Sequence, residues 1–175
     1  SRFYLTIDGA RPMLLSSTLR DDNASLTSDL TNPDLYDEDG RLLVQHDVIH
    51  IRRSRFLWNA TCFERLGVRN FDHVPRQLRL EIAFAADFAD IFEVRGTRRE
   101  QRGTIHPPEI DGWRVTLSYT GLDNRRRQTS LVFDPVPAEL TGHRAVFVVD
   151  VKPSETCNIF IEICCQDEPR ASGPR

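Results

Sequence analysis

Hydrophobic and polar residues alternate along most of this chain, and the alternation predicts strands. Phe3, Leu5 and Ile7 alternate with Tyr4 and Thr6 and run into Asp8-Gly9, a hairpin turn signal, so residues 13–18 are expected as the return strand. Ala24, Leu26, Ser28 and Leu30 share one face of the next segment. Asn32-Pro33-Asp34 ends it, because proline has no N–H for the ladder. The longest signal covers residues 48–58 and 61–71, read as two adjacent strands joined at Asn59-Ala60. Leu78, Leu80, Ile82 and Phe84 alternate strictly, with Arg79 and Glu81 on the other face. Further strands are predicted over 113–119, 129–133, 145–151 and 158–164. The segment 145–151 is apolar on both faces and is therefore expected at the centre of its sheet.

The period changes once, in the stretch 84–96. There Phe84, Phe88, Ile91 and Phe92 fit a helical stripe, interleaved with Asp87, Asp90, Glu93 and Arg95. A change of period beside charges predicts a sheet corner whose polar groups need specific partners. Phe84, Phe88 and Phe92 are expected to anchor this corner in the core. Asp87, Asp90, Glu93 and Arg95 are expected to form a structural polar cluster, with Asp90 or Glu93 pairing Arg95 or the arginines of 52–55. The basic run 97–103 reads as an exposed loop or a frayed hairpin. The pattern as a whole predicts an all-β, antiparallel, supersandwich-like β-sandwich of about ten strands with little helix. Residues 1–168 form one domain in this reading, and 169–175 a linker or disordered tail.

Composition narrows the function more than the fold. The chain has 175 residues and a formal charge of -3, which gives no electrostatic basis for a nucleic-acid partner. No apolar run is long enough to span a membrane. The four cysteines lack C-x-x-C spacing and the five histidines are scattered, so no metal or other cofactor is expected and the thiols read as free. Asn23-Ala24-Ser25 and Asn59-Ala60-Thr61 match the glycosylation pattern, which is too short to carry weight. For catalysis the candidates are Asp87, Asp90 and Glu93, since glycoside hydrolysis uses a pair of flanking carboxylates. The competing and favoured expectation is that these acids are structural, leaving no catalytic residue in the chain. Trp58, Trp113 and Tyr119 are candidate sugar-stacking residues, set against the more common role of such side chains as core.

Phe88-Ala89-Asp90-Ile91-Phe92-Glu93-Val94-Arg95-Gly96 resembles the signature of the N-terminal domain of bacterial glycogen-debranching-enzyme-like proteins, the amylo-α-1,6-glucosidase type. Leu15-Ser16-Ser17-Thr18, Arg20-Asp21-Asp22-Asn23-Ala24, Asp29-Leu30-Thr31-Asn32-Pro33-Asp34-Leu35, Ser54-Arg55-Phe56-Leu57-Trp58, Arg69-Asn70 and Tyr119-Thr120-Gly121-Leu122-Asp123 resemble the same domain in the same order. The resemblance spans roughly residues 1–151. It implies a β-rich module that precedes a catalytic α/α-barrel, with the glycosidase chemistry in the barrel. It also implies a cytoplasmic protein of carbohydrate metabolism, and first strands of the domain lying upstream of Ser1. The expected role is a non-catalytic module that packs on the barrel and helps shape its cleft. The alternative is a stand-alone α-glucan-binding module using Trp58, Trp113 or Tyr119, and a weaker one is an autonomous hydrolase.

Overall fold

The computed structural model describes residues 1–21, 23–97 and 101–167, the side chain of residue 167 excepted. The predicted tail 169–175 and part of the basic run, 98–100, lie outside the described residues. The early elements are β1 (Arg2–Ile7), β2 (Met13–Leu19), β3 (Ser25–Thr31), β4 (Leu35–Tyr36), β5 (Leu42–Val44), β6 (Ile49–Trp58), β7 (Thr61–Asn70) and β8 (Arg76–Ala85). A single helical turn, α1 (Ile91–Val94), follows. Then come β9 (Thr104–Ile105), β10 (Glu109–Asp111), β11 (Arg114–Thr120), β12 (Arg126–Asp134), β13 (Glu139–Leu140), β14 (Arg144–Val151) and β15 (Thr156–Asp167). The structure is 60% strand and 2% helix, an antiparallel all-β sandwich. Short strands at the edges and in the loops bring the count among the described residues to fifteen.

Two sheets make the sandwich. The small one is ordered β1-β8-β14-β13, and the large one runs β10-β11-β12-β15-β7-β6-β3-β2, with β9 beside β11. Period-2 patterning turns one face of each toward the other. Leu5 and Ile7, Leu78 to Phe84, and Phe147 and Val149 face Ile49, Ile51, Leu66, Val68, Leu131, Phe133, Ile159 and Ile161 in one core. Phe133 of the large sheet joins the layers, with ring centroids 5.9 Å from Phe84 and 6.1 Å from Phe147. Removing this much apolar surface from water is the main driving force for the fold.

The β6–β7 hairpin forms where expected. Asn59 and Ala60 both take left-handed backbone, φ +47° and +57°, which matches the twist of the flanking strands. The Asp8-Gly9 turn is tight too, closed by the Ile7–Ala10 pair with N–H···O distances of 2.8 and 2.9 Å, but it does not make a hairpin of β1 and β2. β1 pairs with β8 and β2 with β3, so the turn carries the chain from one sheet to the other. β14, expected at a sheet centre, lies between β8 and the two-residue β13, and Val148 on its outer face is 50% exposed.

Two buried asparagines hold the connections. Asn32 accepts from the N–H groups of Val48 and Ile49 at 3.1 and 2.7 Å and donates to the carbonyls of Pro33 and Gln45. Asn70 donates to Val74 O and Val151 O at 2.8 and 2.9 Å and accepts from the Asp72 N–H. Each fully buried amide is thereby satisfied, as burial of a polar group requires.

Between the layers lies a buried ion cluster. The side chain of Glu64 has 0% exposure and takes a hydrogen bond from Arg53 Nε and another, 2.6 Å long, from Arg55 Nε. The Phe3 ring covers both guanidinium groups, at 5.3 and 5.9 Å. Burial pushes Arg53 below its usual range, against the pull of Glu64. Arg52, on the opposite face, binds Asp29. Arg52, Arg53 and Arg55 thus serve these acids rather than the central stretch.

Candidate functional site

The stretch 84–96 leaves β8 and turns sharply. Phe84 is buried, and Phe88 follows at φ +50°, a left-handed conformation uncommon for a bulky residue. Phe88 lies partly buried against the core, whereas Phe92 is 60% exposed, contrary to the expected anchor. One helical turn offers no stripe long enough to bury both.

The acids of the stretch all have partners. Asp90 is the N-cap of α1 and accepts the N–H groups of Phe92 and Glu93, each at 2.9 Å. Glu93 returns a contact to the Asp90 N–H at 3.1 Å, which completes a capping box. Glu93 also binds Arg102 Nε at 2.9 Å, and Arg102 donates to the Asp87 carbonyl at 3.0 Å. Asp87 accepts from the Ser1 hydroxyl and the Ala89 N–H. Arg95 forms no ion pair with any described residue and closes α1 through its backbone N–H to Ile91 O.

A second segment completes a pocket beside this corner. Tyr119, at the end of β11, stacks on Phe88 with centroids 5.4 Å apart and planes 13° from parallel. Its hydroxyl accepts the Gly103 N–H at 2.9 Å. A Cβ on Gly103 would lie 2.0 Å from Thr120 O, so only glycine fits that approach. The turn after β11 places Asp123 against Arg127, with bonds of 3.1 and 2.8 Å. Arg127 and the Arg125 N–H keep the Asp123 carboxyl ionised, well below its usual range. The pocket, about 340 Å³, is lined by Phe88, Asp90, Glu93, Arg102, Tyr119 and Asp123, among others. Two motifs distant in sequence, 88–96 and 119–123, therefore meet here.

The hydrogen bonds and ion pairs of these side chains brace the corner. A general acid needs a carboxyl kept protonated near neutrality. Here Asp123 is driven the other way, and Asp90 and Glu93 are engaged in the cap. The aromatic candidates do not converge. Trp58 is 68% exposed beside a shallow depression with Asn59 and Cys165, Trp113 is 54% exposed at the β10–β11 turn, and Tyr119 lines the polar pocket. Among the described residues no cluster of three or more His, Cys, Asp or Glu could hold a metal ion. None of the described helices is long and apolar enough to cross a membrane.

No curated protein sequence matches the chain. In structure it is similar to a human-microbiome protein described as a kojibiose phosphorylase, with TM-score 0.59 at 10% identity. That match covers 82% of this chain but only 18% of the other, so the chain spans under a fifth of that protein's length. The Slr1438 protein of Synechocystis sp. PCC 6803 matches over 91% of this chain and 67% of its own, with TM-score 0.48 and 9% identity. At 10% identity the likeness to the microbiome protein is one of fold. In sequence, residues 1–162 match the family described as the N-terminal domain of some glycogen debranching enzymes, and the chain belongs to that family.

Proposed function

We propose that this chain is a non-catalytic scaffold within a glycogen-debranching, amylo-α-1,6-glucosidase-type protein. In this role it packs on a catalytic α/α-barrel and helps shape the barrel's substrate cleft. The observation that carries the reading is the family match, which runs through most of the chain and is to an N-terminal domain. The chemistry of the central corner supports it, because Asp87, Asp90 and Glu93 act as a brace and a helix cap. Four free thiols suit a reducing, cytoplasmic setting. The test is an assay of this chain on branched α-glucan and its limit dextrin. No glucose release is expected, and turnover that survives repeated purification would overturn the scaffold reading.

A second reading is α-glucan binding by the chain alone, favoured by the exposure of Trp58 and Trp113. Titration calorimetry with maltooligosaccharides at millimolar concentration tests it. Binding that Trp58→Ala abolishes would support it, and the absence of heat would remove it.

A further inference from the structure

The outer face of the large sheet, turned away from the core, carries an uncovered aromatic patch at its centre. Phe56 of β6 lies directly across from Phe63 of β7, and their rings stack with centroids 6.5 Å apart. On the other side of β7, Phe160 of β15 lies across from Arg65, diagonal to Phe63. The three rings are 43%, 42% and 48% exposed. They line a shallow groove of about 380 Å³ with Arg20, Arg65 and Ser54. These are inner strands of their sheet, not an edge where ragged exposure is routine.

The charges around the patch are unbalanced. Arg65 donates Nε to the neutral Asn158 amide oxygen at 2.9 Å, and Arg69, four residues on, lies over the Phe71 ring at 4.9 Å. Arg20 borders the groove from the β2–β3 turn. None of these three has a carboxylate partner among the described residues, whereas Arg52, Arg53, Arg55, Arg76, Arg126 and Arg144 are all ion-paired. Glu162, across from Phe63, is the acid of the patch. Aromatic rings and arginine are the side chains enriched at the buried centre of protein interfaces. Guanidinium groups without a counter-charge are matched by carboxylates from the other side of an interface.

We propose that this face is the seat of the catalytic domain of the same polypeptide. The surface it receives has an apolar centre, which covers Phe56, Phe63 and Phe160, and carboxylates that meet Arg20, Arg65 and Arg69. The inference rests on the scaffold reading and adds to it the face that is used. Hydroxyl-radical footprinting reads the exposure of these side chains directly. The full polypeptide carrying the domain is compared with this chain alone. Oxidation of Phe56, Phe63 and Phe160 is expected to slow about fivefold or more in the full polypeptide, as for rings in a water-excluded interface centre. Arg65→Glu in the full polypeptide is expected to restore much of that oxidation, while buried Phe84 and Phe147 stay protected and report an intact fold. Protection of a different face would overturn this assignment and leave the scaffold reading standing. Protection nowhere would overturn both. Protection in this chain alone that grows with its concentration would assign the patch to a second copy and overturn the proposal.

Discussion

Glu64 offers the sharpest energetic test of the fold. Its carboxylate is fully buried, and the two arginines that hold it are themselves 14% and 31% exposed. Replacing Glu64 by Ala removes the only counter-charge described for both guanidinium groups. It strands Arg53 in particular, which cannot turn to water without leaving the Phe3 ring. Breaking a buried pair in this way costs about 3–5 kcal/mol. For a domain of this length each kcal/mol corresponds to about 2–4 °C in Tm, so Glu64→Ala is expected to lower Tm by about 6–20 °C. The companion variant replaces Arg53, Arg55 and Glu64 together by Met, Met and Leu. Because it removes the charges with their desolvation cost, it is expected to fall within about 1–2 kcal/mol of wild type. Urea unfolding followed by circular dichroism supplies both numbers, with an unchanged m-value as the check on two-state behaviour. A Glu64→Ala loss below about 1 kcal/mol, at the level of an exposed pair, would refute the reasoning.

Two further outcomes follow from smaller features. Asp90→Ala removes the N-cap of α1 and is expected to cost about 1 kcal/mol in urea unfolding, with Asp90→Asn recovering most of it; an unchanged midpoint would show that the cap does not hold the corner. His46 hydrogen-bonds the Asp34 carboxylate at 2.9 Å, and that bond raises its pKa above the ordinary imidazole value. Its contribution to stability is therefore complete below the unfolded-state pKa of about 6.5 and is lost as pH rises through the higher folded value. The His46 resonance should titrate above its random-coil midpoint in NMR and return to it in Asp34→Asn, and a midpoint indifferent to Asp34 would contradict the pairing.

The sheets were legible in the sequence because a half-buried strand writes its two faces as alternation, as Leu78 to Phe84 do. Which strands pair was not, because pairing is tertiary. Asp8-Gly9 has the chemistry of a hairpin turn, yet the residues beyond it belong to the other sheet, and no local signal distinguishes the two outcomes. The central corner was legible as a corner. Asp90 and Glu93 have the spacing of a capping box, and the structure uses them so. The burial of Phe92 was misread because spacing alone cannot show that a helix stops after one turn. The meeting of 88–96 with 119–123 left no trace in either segment. Asn32 and Asn70 stand in motif segments and look like turn residues. Their burial, with every amide group engaged, emerges only once the strands around them are in place.

The position of β15 has a consequence for synthesis. It is the latest-made strand described, and it lies between β7 and β12 in the interior of the large sheet. Until it leaves the ribosome, β2, β3, β6 and β7 form one sheet fragment and β9 to β12 another, each with an open edge of unpaired backbone groups. The two halves of the sheet therefore cannot join until β15 is made. Pairing over such sequence separations is slow, and exposed edges invite pairing with other chains. Nascent domains of this kind depend on timely completion, and a stall just short of β15 leaves the molecule at its most vulnerable to aggregation.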